Sequence, residues 1–340
     1  MQPTETELLI LSIGALGLGM YLLYKGGDWT IDAAVAIAQR LGVSPLVIGF
    51  TIVAFGTSLP ELIVSLNAHL AGSSGIAIGN VIGSNIANIL LVIGVTAFFA
   101  TLTAAPKDIL RDMIMMLLTS LLMVYLILQG TITQFAGGAM VAFLLSYVVW
   151  QYVMAAKGKI DVDDIVDEID DVKYKSLFQS FFFLFLGMIA IAGGAEFLVR
   201  GAKVSAVIIG VPEDVIGLSV IALGTSLPEL STCIIAAMKK QSDLIIGNIL
   251  GSNVFNILMI LGITSSVKAI PGDAIAPQIL SLDIWVMLGV AVIFSAILLL
   301  FRKINKYTGF VFVGGYVFYI GLIYALYLQD KIPNVVSSYG

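Results

Sequence analysis

The stretch Gly56-Thr57-Ser58-Leu59-Pro60-Glu61-Leu62 returns, residue for residue, as Gly224-Thr225-Ser226-Leu227-Pro228-Glu229-Leu230. Around it the correspondence continues without a gap. Ile48-Gly49 recurs as Ile216-Gly217. Gly79-Asn80, Gly83-Ser84-Asn85 and Asn88-Ile89-Leu90 recur as Gly247-Asn248, Gly251-Ser252-Asn253 and Asn256-Ile257-Leu258, always 168 positions later (57 to 225, 88 to 256). Two unrelated apolar helices share Leu, Ile and Val by chance, but not Thr, Ser, Pro, Glu and Asn in register. The chain is therefore an internal duplication.

Composition says where the duplicated unit resides. The 340 residues are 59% hydrophobic and 11% charged, with a mean hydropathy of +1.04, whereas a soluble domain carries roughly 25% charged residues. A bilayer-spanning helix needs about 20 mostly apolar residues. Ten such stretches follow one another, near 8–24, 43–69, 77–100, 109–128, 131–156, 176–198, 211–237, 244–266, 279–301 and 307–328. The pair between 109 and 156 is divided only at Gln129-Gly130-Thr131. The first stretch reads as a retained helix, because Glu5 and Glu7 are the only charges before it and a signal peptide would begin with basic residues.

Five stretches fall in each copy, and an odd number of crossings turns the second copy upside down. The expected fold is an all-α polytopic membrane protein with ten transmembrane helices, arranged as two inverted five-helix repeats with broken helices 2 and 7. Residues 1–156 form the first repeat, 157–175 an acidic linker and 176–340 the second repeat. Inverted repeats characterise secondary transporters, which hold substrate near the membrane midplane where the repeats meet. Of the 17 Lys and Arg residues, only Arg200, Lys203, Lys268 and Lys331 fall in loops of one side. The positive-inside rule then puts both termini outside and the linker in the cytoplasm. The linker's seven acidic residues, Asp161, Asp163, Asp164, Asp167, Glu168, Asp170 and Asp171, read as a solvated tether without EF-hand spacing.

Several function classes drop out. A net charge of −5 argues against nucleic acid as a partner. The single cysteine, Cys233, cannot form an intrachain disulfide or a thiolate metal site, and the single histidine, His69, reads as an ordinary interfacial residue at a helix end. Glu61 and Glu229 are the only acidic residues placed well inside the expected spans, where an uncompensated carboxylate costs several kcal/mol. No Lys or Arg shares their stretches, and the one His, His69, stands at the far end of the first, so the natural counter-charge is a mobile cation.

Each Glu follows a proline, which removes a backbone donor and disrupts the helix ahead of it. The carbonyls of Ala54, Thr57, Ala222 and Thr225 become candidate ligands, since unwound backbone at membrane depth is tolerated only where it lines a cavity or is buried in protein. In the second motif, Ser84 with Asn88 and Ser252 with Asn256 stand at i, i+4 on one helical face and add neutral oxygens. Gly79, Gly83, Gly247 and Gly251 permit close approach of a neighbouring helix. Asn85 and Asn253, one position off that face, read equally well as interhelical hydrogen-bonding groups. Two carboxylates, hydroxyls, amides and carbonyls, with no nitrogen or sulfur ligand, make a set for hard cations. Ca²⁺ takes about 6–8 oxygens, whereas Zn²⁺, Cu⁺ or Fe²⁺ recruit His or Cys.

At these residues the chain resembles the sodium/calcium exchangers of the cation/calcium antiporter superfamily, whose two signature repeats match 46–95 and 214–263. That resemblance implies Na⁺/Ca²⁺ antiport by alternating access, with Glu61 and Glu229 binding both ions. It also implies that Thr57, Ser58, Thr225, Ser226, Ser84, Ser252 and the Ala54 and Ala222 carbonyls complete the sites, while the helices at 8–24 and 176–198 slide past the rest. Superfamily members that exchange protons lack Thr-Ser-x-Pro before Glu, which favours Na⁺ as the counter-ion over H⁺. Potassium-dependent members carry Asp at the place of Asn256, so neutral Asn88 and Asn256 imply K⁺ independence, and a cage with two negative charges implies electrogenic exchange. The expected partners are Ca²⁺, Na⁺ and the lipid bilayer, with no cofactor and no obligatory protein partner. The rival readings are H⁺/Ca²⁺ exchange, a passive channel, and an intramembrane hydrolase with Ser58 or Ser226 as nucleophile. The hydrolase would need an adjacent base.

Overall fold

Thr4 starts the first helix with a capping box: its hydroxyl accepts from the Glu7 N–H at 3.3 Å, and the Glu7 carboxylate accepts from the Thr4 N–H at 2.7 Å. The computed structural model describes residues 4–157, 173–208 and 224–336. Helix α1, Glu5–Leu41, runs 37 residues before Gly42, at φ 62°, turns the chain. The expected span ended at residue 24, so the helix continues through what reads as a polar break. Two features explain the difference. Gly26 does not break α1 because it lies against α6, Leu177–Ile208, so closely that a Cβ there would sit 2.7 Å from the Gly187 oxygen. Asp28 and Asp32 are held by cations distant in sequence, Lys173 at 2.7 Å from Asp32 and Lys239 at 2.6 Å from Asp28. At about 55 Å, α1 exceeds a bilayer core of about 30 Å.

α1 and α6 lie antiparallel along a seam of small residues. Gly19 faces the Gly194 oxygen and Gly201 faces the Ser12 oxygen, and the Ser12 and Ser205 hydroxyls bond at 2.9 Å. The steps of seven residues along each helix give the spacing of a left-handed helix pair. Without a hydrophobic drive between helices in lipid, such close backbone contact is what holds them.

The second span is broken as expected. Its first part, Pro45–Thr57, meets α2, Leu59–Leu70, at a 42° bend centred on Ser58 (φ −85°, ψ 0°). After it come α3, Ser74–Ala87; α4, Pro106–Leu128; and α5, Gln134–Lys157. Gly130, at φ +83°, separates α4 from α5 where the sequence shows only Gln-Gly-Thr. In the second half, α7 is Leu227–Met238, α8 Ser242–Phe255, α9 Ile284–Phe301 and α10 Lys306–Val336. Ser226 has nearly the backbone of Ser58 (φ −87°, ψ 0°), and α7 is the described part of the seventh span. Among the described residues, eight helices are long and apolar enough to cross a membrane, nine with the bent pair. Together with α7 they account for the ten spans.

One feature was not anticipated. Both third spans of the repeats pass through a π-helical turn, Asn88–Ile93 and Asn256–Leu261, before resuming as α-helix at Gly94 and Gly262. These positions again differ by 168 (88 to 256). A π-turn carries one residue more than an α-turn and commonly marks a functional site. The membrane-crossing window of Ser242–Val267 is 100% buried and that of Ser74–Phe99 72%, against 17% for α1. The α3 and α8 spans are therefore the core of the bundle, and α1 lies on its rim. Short antiparallel pairings tie the bundle's ends: Leu102 pairs with Ile304, and Ile132 with Ile270, which stands 168 positions after Leu102.

One expectation is corrected. His69 is not an interfacial side chain but 1% exposed; its Nδ1 meets the Ser74 hydroxyl and its Nε2 the Lys268 carbonyl, both at 2.8 Å. Glu61 and Glu229 remain the acids well inside the spans, but two further acids are buried near span starts. Asp112 is fully buried, with Arg111 at 2.9 Å, the Tyr147 hydroxyl at 2.8 Å and the Gln151 amide at 2.6 Å. Asp283 is held by the Tyr319 hydroxyl at 3.0 Å and the Gln278 amide. Both lie near helix starts, where fixed donors can reach them.

Candidate metal centre

The broken helices deliver the two glutamates. Pro60 and Pro228 occupy the first turns of α2 and α7, where a missing N–H is tolerated, and each Glu follows at the next position, 1% exposed. They are close enough for their charges to repel. Each has one carboxylate oxygen, Oε2, that is buried without a hydrogen-bond partner. Asp112 and Asp283 differ in this respect, since fixed donors compensate them.

Thr57 joins the two repeats at this point. Its hydroxyl lies 3.4 Å from the Ala54 carbonyl, 3.5 Å from the Asn248 amide oxygen and 3.5 Å from the Ser252 hydroxyl, and it interacts with the Glu229 carboxylate. All three distances are at the long end of hydrogen bonding, so the oxygen is near many partners and held tightly by none. Ala54, Thr57, Ser252 and Glu229 are thereby brought to one place. The proline does not leave the Ala54 carbonyl vacant, as the sequence suggested: it accepts from the Ser58 N–H at 3.0 Å. The group deprived by Pro60 is the Gly56 carbonyl four residues before it. Thr225 is half-buried, and Ala222 lies outside the described residues.

Around these groups the π-turns cross over. Asn256–Leu261 packs against α2, which carries Glu61, while Asn88–Ile93 packs against α7, which carries Glu229. Ser58, Ser84, Asn88, Ser226, Ser252 and Asn256 are all buried. The Ser58 hydroxyl, both polar atoms of the Asn88 amide and the Asn256 oxygen have no partner. A buried polar group left unpaired costs about 1–3 kcal/mol, so their gathering around two carboxylates requires an explanation.

Three bonds support the motif from behind, and none was visible as a bond in the sequence. The Asn80 amide donates to the Ser65 hydroxyl at 2.9 Å and to the Glu61 carbonyl at 3.2 Å. At the corresponding place the Asn248 amide donates to the Cys233 sulfur at 3.6 Å. Ser65 and Cys233 are themselves 168 positions apart (65 to 233), so the lone cysteine stands in for a serine as a buried acceptor. The duplicated Gly-Asn pair was the available signal. The close approach expected of α8 is also present, since a Cβ on Gly247 would lie 2.2 Å from the Leu46 oxygen and one on Gly251 2.2 Å from the Phe50 oxygen.

Residues 11–153 and 179–325, one segment in each half, match the sequence profile of the sodium/calcium exchanger protein family. The chain belongs to this family. It is 34% identical over 325 residues to the putative antiporter CaxA of Alkalimonas amylolytica, covering 91% of this chain and 97% of that protein. It is 31% identical over 344 residues to the sodium/calcium exchanger MaX1 of Methanosarcina acetivorans, with 91% and 97% covered. Its fold superposes on a structure of the sodium-calcium exchanger NCX_Mj soaked with 10 mM Na⁺ and zero Ca²⁺, with a TM-score of 0.78, 30% identity and coverage of 92% of this chain and 99% of that one. With its succession of apolar helices long enough to cross a membrane, the chain is a multi-pass membrane protein.

Proposed function

We propose that this chain exchanges Na⁺ for Ca²⁺ across the cell membrane by alternating access, and that Glu61 and Glu229 are the anionic ligands shared by both ions. The observation that carries the reading is the pair of 1% exposed carboxylates, one from each repeat, each with an unpaired oxygen. Two carboxylates balance one Ca²⁺, and the same pair can neutralise two Na⁺. Competition for one set of oxygens then couples the two fluxes. Thr57, Ser58, Ser84, Asn88, Thr225, Ser226, Ser252 and Asn256, with the carbonyls of Ala54 and Ala222, supply the neutral oxygens. A cage fully loaded with Na⁺ carries net positive charge, so exchange is electrogenic; with amides at 88 and 256, it proceeds without K⁺.

The repeats are 1–156 and 176–340, joined by the cytoplasmic linker 157–175, with both termini outside. α1 and α6, packed on each other along their small-residue seam, are the pair that moves against the bundle. The family is one of transporters, and His69 bonds to Ser74 and the Lys268 carbonyl rather than to Ser58 or Ser226.

Purified protein in liposomes tests the reading. Ca²⁺ uptake is expected to require an outward-directed Na⁺ gradient, to respond to membrane potential and to be indifferent to K⁺. Uptake driven equally by a pH gradient alone would make the protein a proton exchanger. Within the cage, Ser84→Ala or Ser252→Ala removes one neutral oxygen while keeping both charges. Each variant is expected to insert normally and to raise the Na⁺ concentration for half-maximal exchange by about tenfold, the equivalent of about 1.4 kcal/mol. Flux titrated against Na⁺ in vesicles reads this directly.

A further inference from the structure

The duplicated Gly-Ser-Asn-x-x-Asn motif places four buried amides at the meeting of the repeats, and they are not used symmetrically. On one side, the Asn256 amide nitrogen donates to the Asn85 oxygen at 3.0 Å, and the Asn85 nitrogen contacts the Met287 sulfur at 3.6 Å. On the other side the equivalent bond, between Asn88 and Asn253, is not formed. Asn253 turns its nitrogen to the Ile249 carbonyl of its own helix at 2.8 Å, and its oxygen and both polar atoms of Asn88 are buried without partners. All four residues are at most 2% exposed, so the difference does not come from solvent.

A planar amide that commits its nitrogen in one direction must present its oxygen in another. The Asn256 oxygen is buried and unpaired, on a π-turn that packs against the helix carrying Glu61. We propose that Asn85 is a positioning residue for the cation cage: by holding the Asn256 nitrogen it fixes Asn256 as an oxygen ligand and keeps its N–H₂ away from the ion. Asn88 has no such restraint and is free to turn. The two halves of the cage therefore offer a cation one fixed and one adjustable amide oxygen. This role rests on the proposed cation site.

The test is equilibrium Ca²⁺ binding to purified protein without Na⁺, so its outcome is independent of the counter-ion that drives transport. Asn85→Leu frees the Asn256 amide to turn its nitrogen inward, and Ca²⁺ is expected to bind about tenfold more weakly. A positioning role also requires that Asn85→Leu add nothing further in an Asn256→Ala background, since the residue it acts through is then gone. A purely structural role would weaken binding equally in both backgrounds. Asn85→Ser keeps an acceptor for the same N–H and is expected to lose less; should the leucine variant fail to fold, the same cycle is read with serine. Wild-type affinity in Asn85→Leu, or the same loss with and without Asn256, overturns the placement of Asn85. Wild-type protein that binds Ca²⁺ but does not exchange it for Na⁺ overturns the transport reading instead.

Discussion

Glu229→Gln is expected to abolish Na⁺-dependent Ca²⁺ uptake, with a loss of at least about a hundredfold and no change in the protein's elution as a folded species. Gln preserves the shape and one oxygen of the side chain, so packing is not the cause. What disappears is one of two charges. Glu229 is 1% exposed, and removing one partner of a buried charge pair costs about 3–5 kcal/mol because the remaining charge goes uncompensated. Here the uncompensated charge is on Ca²⁺, left with the single carboxylate of Glu61. Glu61→Gln is expected to behave alike, because the repeats place the two residues equivalently. Isotope uptake in proteoliposomes checks both variants, and wild-type flux in either would remove that carboxylate from transport.

The second large effect is steric. Gly251 lies where α8 crosses the broken second span, and a Cβ there would lie 2.2 Å from the Phe50 oxygen and 2.8 Å from the Ala54 Cβ. Neither neighbour is a flexible side chain, so Gly251→Ala has to push two backbones apart. Interiors transmit such strain, and overpacking typically costs about 1–3 kcal/mol. The functional loss is expected to exceed the stability loss. Ser252 is the next residue, and its contact with Thr57 is already 3.5 Å. Exchange is expected to fall by about tenfold or more with a lowered melting temperature in detergent. Gly289→Ala, where no described atom lies within 4 Å of the added carbon, is expected to keep wild-type flux. Equal flux in the two variants would mean that the α8 contact does not set the cage.

Much of this architecture is legible in the sequence because the membrane imposes it. An apolar run must be a helix in lipid, and a second copy of Thr-Ser-Leu-Pro-Glu repeats the break along with the residues. Non-local contacts were less legible. Residues 25–41 read as a polar break, yet they continue α1, because Lys173 and Lys239 return to Asp28 and Asp32 from far along the chain. Asp112 gave no sign that Tyr147 and Gln151 would meet it from α5. The π-turns at Asn88 and Asn256 follow no residue preference visible locally; only their common offset in the repeat could have suggested that the two Asn residues share an unusual backbone. Asn85 was the hardest to read, since it holds the same place in the Gly-Ser-Asn-x-x-Asn motif as Asn253 and the folded bundle shows their different bonds.

The central claim is that one cation is held between Glu61 and Glu229. Anomalous diffraction from crystals grown in Ca²⁺, repeated after exchange into Na⁺, measures it most directly. The account predicts one intramembrane Ca²⁺ peak with oxygens of both carboxylates at about 2.3–2.6 Å, lost when Na⁺ replaces it. A peak bound by only one of the two glutamates, or one that persists unchanged in saturating Na⁺, would contradict it.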